Sequence, residues 1–226
     1  MSLNGPGATA LMLAIQSHDR ATISALLAFS GIDVNQINKD GGTALMRAVA
    51  TNDLHAVTAL LAVRGIDVNH GGFYYDTALL LAIENDKSID IIRALLSAPG
   101  IDVNKQARSG LTPLISATSN GNIDAVRALL SAPGININLS YRNGKTALTV
   151  AFANGYGEIV KLLKEQTIKD LQRRPEPVVF SCKKISEGIK RAPVEPVNQA
   201  EELATATSTR RNPKRATAFT GSYKYK

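Results

Sequence analysis

At 226 residues with 44% apolar side chains, the chain can bury the core of one domain or of one array of repeats. Its single cysteine, Cys182, excludes an intrachain disulfide and fits a reducing compartment. No stretch approaches the roughly 18 apolar residues of a membrane span, and no basic stretch leads into a long apolar run at the N-terminus, so an intracellular, cytoplasmic location without membrane contact is expected. The net charge of +7 lies at one end: residues 1–166 hold 13 Lys or Arg against 13 Asp or Glu, whereas residues 167–226 hold 13 against 6. A neutral body with a cationic appendage limits any affinity for nucleic acid to that appendage.

In chain order, a Thr, small residue, Leu pattern followed by an apolar helical run begins at Thr9 and returns at Thr43, Thr77, Thr112 and Thr146, in steps of 34, 34, 35 and 34. A second marker keeps the same phase: GIDVN at 31–35, 65–69 and 100–104, then GININ at 134–138. Periods of this length mark one supersecondary unit copied along an axis, each copy burying its apolar face only against its neighbours. The second unit shows the pattern. Thr43 to Ala50 sets Leu45, Ala48 and Val49 on one helical face; Asn52 and Asp53 interrupt the chain; Leu54 to Leu61 sets Leu54, Val57, Leu60 and Leu61 at helical spacing. Gly65 suits a left-handed residue beyond a helix end. Ile66 to Gly72 is too short and turn-rich for a helix and predicts a hairpin arm. In the fifth unit Lys161, Lys164 and Glu165 crowd the second helix, as a solvent-facing terminal repeat requires. That helix is expected to run on through 167–174 until Pro175 and Pro177 stop it.

These motifs resemble the ankyrin-repeat family, whose units open on T-P-L-H-x-A; Thr112, Pro113 and Leu114 match most closely, and the likeness spans residues 8 to about 164. The resemblance implies an all-α ankyrin-repeat solenoid of helix-turn-helix units with β-hairpin loops. The repeats are expected at about 5–37, 38–71, 72–106, 107–140 and 141–166, within a repeat domain of residues 1–166. A helical or partly ordered extension (167–191) and a disordered basic tail (192–226) follow, the latter too poor in apolar residues to offset chain entropy. Three departures stand out. The family's His is replaced by Met12, Met46, Leu80, Ile115 and Thr149; the turn before GIDVN is one residue longer; and Tyr75 stands where Gly41, Gly110 and Gly144 stand in other hairpins.

No nucleophile is paired with a base, no phosphate-binding loop is present, and His18, His55 and His70 fall at different repeat positions without accompanying cysteines or carboxylates, so no catalytic residue, metal or cofactor is expected. The recurring Asp-Val-Asn is expected to satisfy backbone groups of the loops. At Asn35, Asn69 and Asn104 it also resembles the site that asparaginyl hydroxylases accept.

The resemblance implies that hairpin tips and inner-helix ends face a concave groove. Counting outward from each Thr gives Lys39, Asp40, Phe73, Tyr74, Tyr75, Asp76, Arg108, Ser109, Leu111, Tyr141, Arg142 and Lys145 on the hairpins, and Glu84, Asn85 and Asn120 at the helix ends, as candidate partner-binding residues. Phe73 to Tyr75, flanked by Arg108, Tyr141 and Arg142, is expected to be an aromatic anchor. In the tail, Arg210, Arg211, Lys214 and Arg215 form RRNPKR, which resembles a nuclear import signal, and Glu201-Glu202 before the basic end resembles a type IV secretion signal. The expected function is a monomeric, non-enzymatic adaptor or scaffold binding a protein partner, with delivery as a bacterial effector into a host cell as an extension. The alternatives are a nuclear regulator holding nucleic acid through its tail and a regulator that caps an enzyme.

Overall fold

A computed structural model describes residues 7–72 and 76–173. They belong to one compact unit, residues 1–178; a second, residues 179–226, lies outside the described part.

Among the described residues ten α-helices alternate in two rows. The inner row is α1 (Ala10–Gln16), α3 (Ala44–Ala50), α5 (Ala78–Glu84), α7 (Pro113–Ser119) and α9 (Ala147–Ala153); the outer row is α2 (Arg20–Ala28), α4 (Leu54–Leu61), α6 (Ile89–Leu96), α8 (Ile123–Ser131) and α10 (Gly157–Arg173). Each inner helix packs on the next inner helix and on its own outer partner, and the outer helices stack likewise. An inner helix is therefore covered on several sides. In α3 every residue from Ala44 to Val49 is buried, and in α7 every residue from Pro113 to Thr118. Small residues at the first and fifth positions, such as Ala44 and Ala48, let the rows approach closely, while Leu45, Leu60, Leu79, Ile83, Ile92 and Leu95 fill the interior. Each such side chain stabilises by about 1.5–3 kcal/mol on burial.

The repeated Thr has a local cause. Thr9, Thr43, Thr77, Thr112 and Thr146 are the N-caps of the inner helices, and each side-chain oxygen accepts the backbone N–H three residues on. That bond supplies one of the four donors a helix start leaves open. At the family's His position Met12, Met46, Leu80 and Ile115 are simply buried, whereas Thr149 closes a capping box, its Oγ1 accepting from the Thr146 N–H at 2.8 Å. Outer helices take Asp19, Asp53, Ser88 and Asn122 as caps.

The expected hairpins carry little strand. Two-residue β1 (Ser140–Tyr141) and β2 (Lys145–Thr146) pair antiparallel in the fifth repeat. In repeats two, three and four a backbone bond across the tip closes the loop, as from Ala107 N–H to the Leu111 carbonyl at 2.9 Å. The tips are too short for a ladder and turn through left-handed glycines, Gly41 at φ +69 and Gly110 at φ +81.

Candidate functional site

The polar residues of each repeat divide into those spent on holding repeats together and those left at the surface. The Asp-Val-Asn loops belong to the first group. Asn35 Nδ2 donates to the Gly65 carbonyl at 2.8 Å while its Oδ1 accepts the Asp67 N–H at 2.8 Å. Asn69 repeats both bonds with Gly100 and Asp102, and Asn104 with Gly134 and Asn136. The preceding acid, Asp33, Asp67 or Asp102, accepts the N–H of its own Asn and fixes the loop.

A second polar ladder runs along the turn between inner and outer helices, and the sequence pattern hides it because its residue types differ. The ninth residue after each Thr is left-handed: His18, Asn52, Asp86, Gly121 and Gly155. His18 Nδ1 lies 3.0 Å from Asp53 Oδ2, Asn52 Oδ1 accepts the Ser88 N–H at 3.2 Å, and Asp86 Oδ1 accepts from Asn122 Nδ2 at 2.9 Å. At Gly121 the Tyr156 ring takes over: a Cβ there would meet its Cζ at 3.1 Å. Burial works against ionisation of Asp53, but the Ala56 N–H and the His18 ring outweigh it and hold the carboxyl below its ordinary value.

The second group holds the expected partner-binding residues. Lys39, Asp40, Glu84, Asn85, Arg108, Ser109, Asn120, Arg142 and Lys145 are exposed, and Asp76, Leu111 and Tyr141 half-buried. Three of them have structural duties: Asn120 Nδ2 donates to the Ile83 carbonyl of the previous repeat at 3.1 Å, Asn85 Nδ2 donates to the Leu81 carbonyl at 2.9 Å, and Ser109 Oγ accepts the Leu111 N–H at 3.3 Å. Tyr141 rests on the neighbouring tip, a Cβ built on Gly110 lying 3.6 Å from its own Cβ. The tips of repeats four and five therefore touch, and Gln106 Nε2 donates to the Ser140 carbonyl at 3.3 Å beside them. Phe73, Tyr74 and Tyr75, and with them the aromatic anchor, lie outside the described residues, as do Arg210, Arg211, Lys214, Arg215 and the secretion-like terminus.

Asp76, just before α5, and Glu84, its last residue, both titrate above their ordinary values. Partial burial raises both carboxyls, and the Asp76 charge raises Glu84 further. Arg47 on α3 is a residue the sequence did not single out. It is 3% exposed, its Nη1 donates to Gln16 Oε1, and burial lowers its pKa against the opposing field of Asp40. Its signal was available, as a charged residue on a helix otherwise entirely apolar. On the other side of the stack an open groove of about 810 Å³ runs between the Ser131–Ile135 loop and α10, lined also by Arg127, Glu165, Lys169 and Asp170. None of the expected partner-binding residues lines it. No helix among the described residues is long and apolar enough to cross a membrane, and no group of three or more His, Cys, Asp or Glu among them is placed to hold a metal ion.

With this geometry in hand, comparison with known proteins is specific about the architecture. A family profile described as ankyrin repeats (3 copies) matches residues 2–71 and 79–174. Among solved structures, the crystal structure of EF0377, an ankyrin repeat protein, is similar at 31% sequence identity and a TM-score of 0.64, over 70% of this chain and 80% of that one. In all, 510 solved chains match, so the likeness fixes the fold and leaves the partner to the surface residues. No curated protein sequence matches.

Proposed function

Because the chain belongs to the ankyrin-repeat family, whose repeats serve as protein–protein interaction modules, we propose that it is a non-enzymatic adaptor that grips a protein partner with its hairpin tips and inner-helix ends. One observation carries this: the loop asparagines and turn residues are spent on inter-repeat bonds, whereas Lys39, Arg108, Arg142 and Lys145 are exposed and, among the described residues, in no ion pair. Exposed arginines and aromatics concentrate binding energy when a partner covers them. The test is affinity capture from a cell extract with the whole chain against variants carrying alanine at Phe73, Tyr74 and Arg108, or at Leu111 and Tyr141. A partner whose recovery falls with these substitutions supports the proposal. Recovery that is indifferent to both variants removes it.

A second function is favoured by the placement of charge. All of the +7 excess lies beyond residue 166, so the tail would hold nucleic acid while the repeats recruit a protein. Removing residues 205–226 should then abolish a steeply salt-dependent affinity for duplex DNA. Delivery into a host cell, expected from Glu201-Glu202 and the basic terminus, is tested separately by a translocation reporter fused to the chain.

A further inference from the structure

The residue just before the capping Thr changes sign along the stack. It is Asp76 in repeat three, Leu111 in repeat four and Lys145 in repeat five. The rest of the face follows. Repeat three adds the exposed Glu84 at the far end of α5, while repeats four and five add Arg108 and Arg142 at equivalent places on tips that touch through Tyr141 and Gly110. Between Asp102 and Glu158 the one acid is Asp124, and it sits on outer helix α8, away from the hairpins. Arg108, Arg142 and Lys145 have no ion-pair partner among the described residues. Asp76 and Glu84 are likewise in no ion pair among the described residues; partial burial raises both carboxyls, and the Asp76 charge raises Glu84 further.

Resting on the adaptor function above, we infer that the partner presents an extended segment of opposite polarity, with acidic residues over Arg108, Arg142 and Lys145 and a basic residue over Asp76 and Glu84. Packed helices lie about 8–10 Å apart, so Asp76 and Lys145, two repeats apart, are separated by about 20 Å, or about six residues of extended chain. Both ends meet charge that no ion pair among the described residues engages, and such complementarity fixes register and excludes wrong partners. A nucleic-acid backbone fits this face poorly, because its uniform negative charge would continue onto Asp76 and Glu84.

The experiment is a selection of random 16-residue peptides displayed on phage against the whole chain, followed by fluorescence anisotropy of the enriched peptides and of a 16-base-pair DNA duplex. The expected peptides carry Asp or Glu about six residues from Lys or Arg. Their affinity falls tenfold or more on R108A/R142A, and D76N/E84Q weakens them while strengthening an all-acidic peptide. The tail cations are common to all chains, so these differences report the hairpins alone, and equal circular-dichroism melts exclude unfolding of the variants. Enriched peptides without charge order, affinities unmoved by R108A/R142A, no enriched peptide at all, or a duplex whose binding depends on Arg108 and Arg142 would each overturn the inference. If captured partners still depend on Leu111 and Tyr141 while charge order is irrelevant, the adaptor function survives and the bipolar segment alone falls.

Discussion

Asn69 reaches across a repeat boundary to Gly100, its side-chain amide donating to that carbonyl at 2.7 Å, and the same side chain accepts the Asp102 N–H at 2.8 Å. One residue thereby closes two backbone groups of the next loop, and Asn35 and Asn104 do the same one repeat earlier and later.

Asn69→Ala removes both bonds together and should cost about 1–3 kcal/mol, at about 0.5–1.5 kcal/mol per bond. Repeat arrays are held by nearest-neighbour interfaces, so the loss at a central boundary should also broaden the urea transition. Asn138→Ala is the control, since among the described residues Asn138 is bonded through its backbone N–H alone, to Asn136 Oδ1 at 3.0 Å. Equal midpoints for the two variants would count against the ladder.

Gly121→Ala should destabilise more than Gly155→Ala. Both positions are left-handed, at φ +67 and φ +72, but an added Cβ meets the Tyr156 ring at Gly121 and open space at Gly155. The second variant carries backbone strain of about 1 kcal/mol; the first adds displacement of the ring. Thermal melts of the two proteins read the difference, and Tyr156→Ala should narrow it.

Asp53 ties stability to acid. Its folded-state pKa is depressed, so its contribution is complete above the ordinary value of 3.8 and is lost as pH falls through the lower folded value. Asp53→Asn should therefore lower the melting temperature at neutral pH and flatten the decline below about pH 4, measured by calorimetry at several pH values. His18→Ala should reproduce part of the effect, because it removes the ring and leaves the Ala56 bond, 3.0 Å long, in place.

Asp76 and Glu84 act with the opposite sign. Their folded-state pKa values are raised, so ionisation weakens the fold at neutral pH, and the penalty disappears as pH falls below the ordinary values of 3.8 and 4.5. Glu84→Gln should raise the melting temperature slightly at pH 7 and leave it unchanged at about pH 3. The gain stays small because Glu84 keeps one side in water.

Sequence alone determined the architecture. A capping Thr, a small residue and a Leu in phase with GIDVN are local requirements of a helix start and a tight loop, and repetition turns local requirements into a stack. The loop role of Asp-Val-Asn was legible for the same reason, since each copy must meet the same bonding need. Where the partners come from different repeats, tertiary structure decided. His18, Asn52 and Asp86 share a left-handed turn but not a residue type, so their common reach to the following repeat has no periodic signature. At Gly121 an added Cβ would meet a ring 35 residues away, and the buried Arg47 donates to Gln16 on the helix before it. Which of the candidate residues have packing duties also followed from tertiary structure: Asn120 donates to the Ile83 carbonyl and Tyr141 rests on Gly110, while Arg108 and Arg142 are exposed on adjoining tips, because only the finished stack shows which polar atoms have already been used.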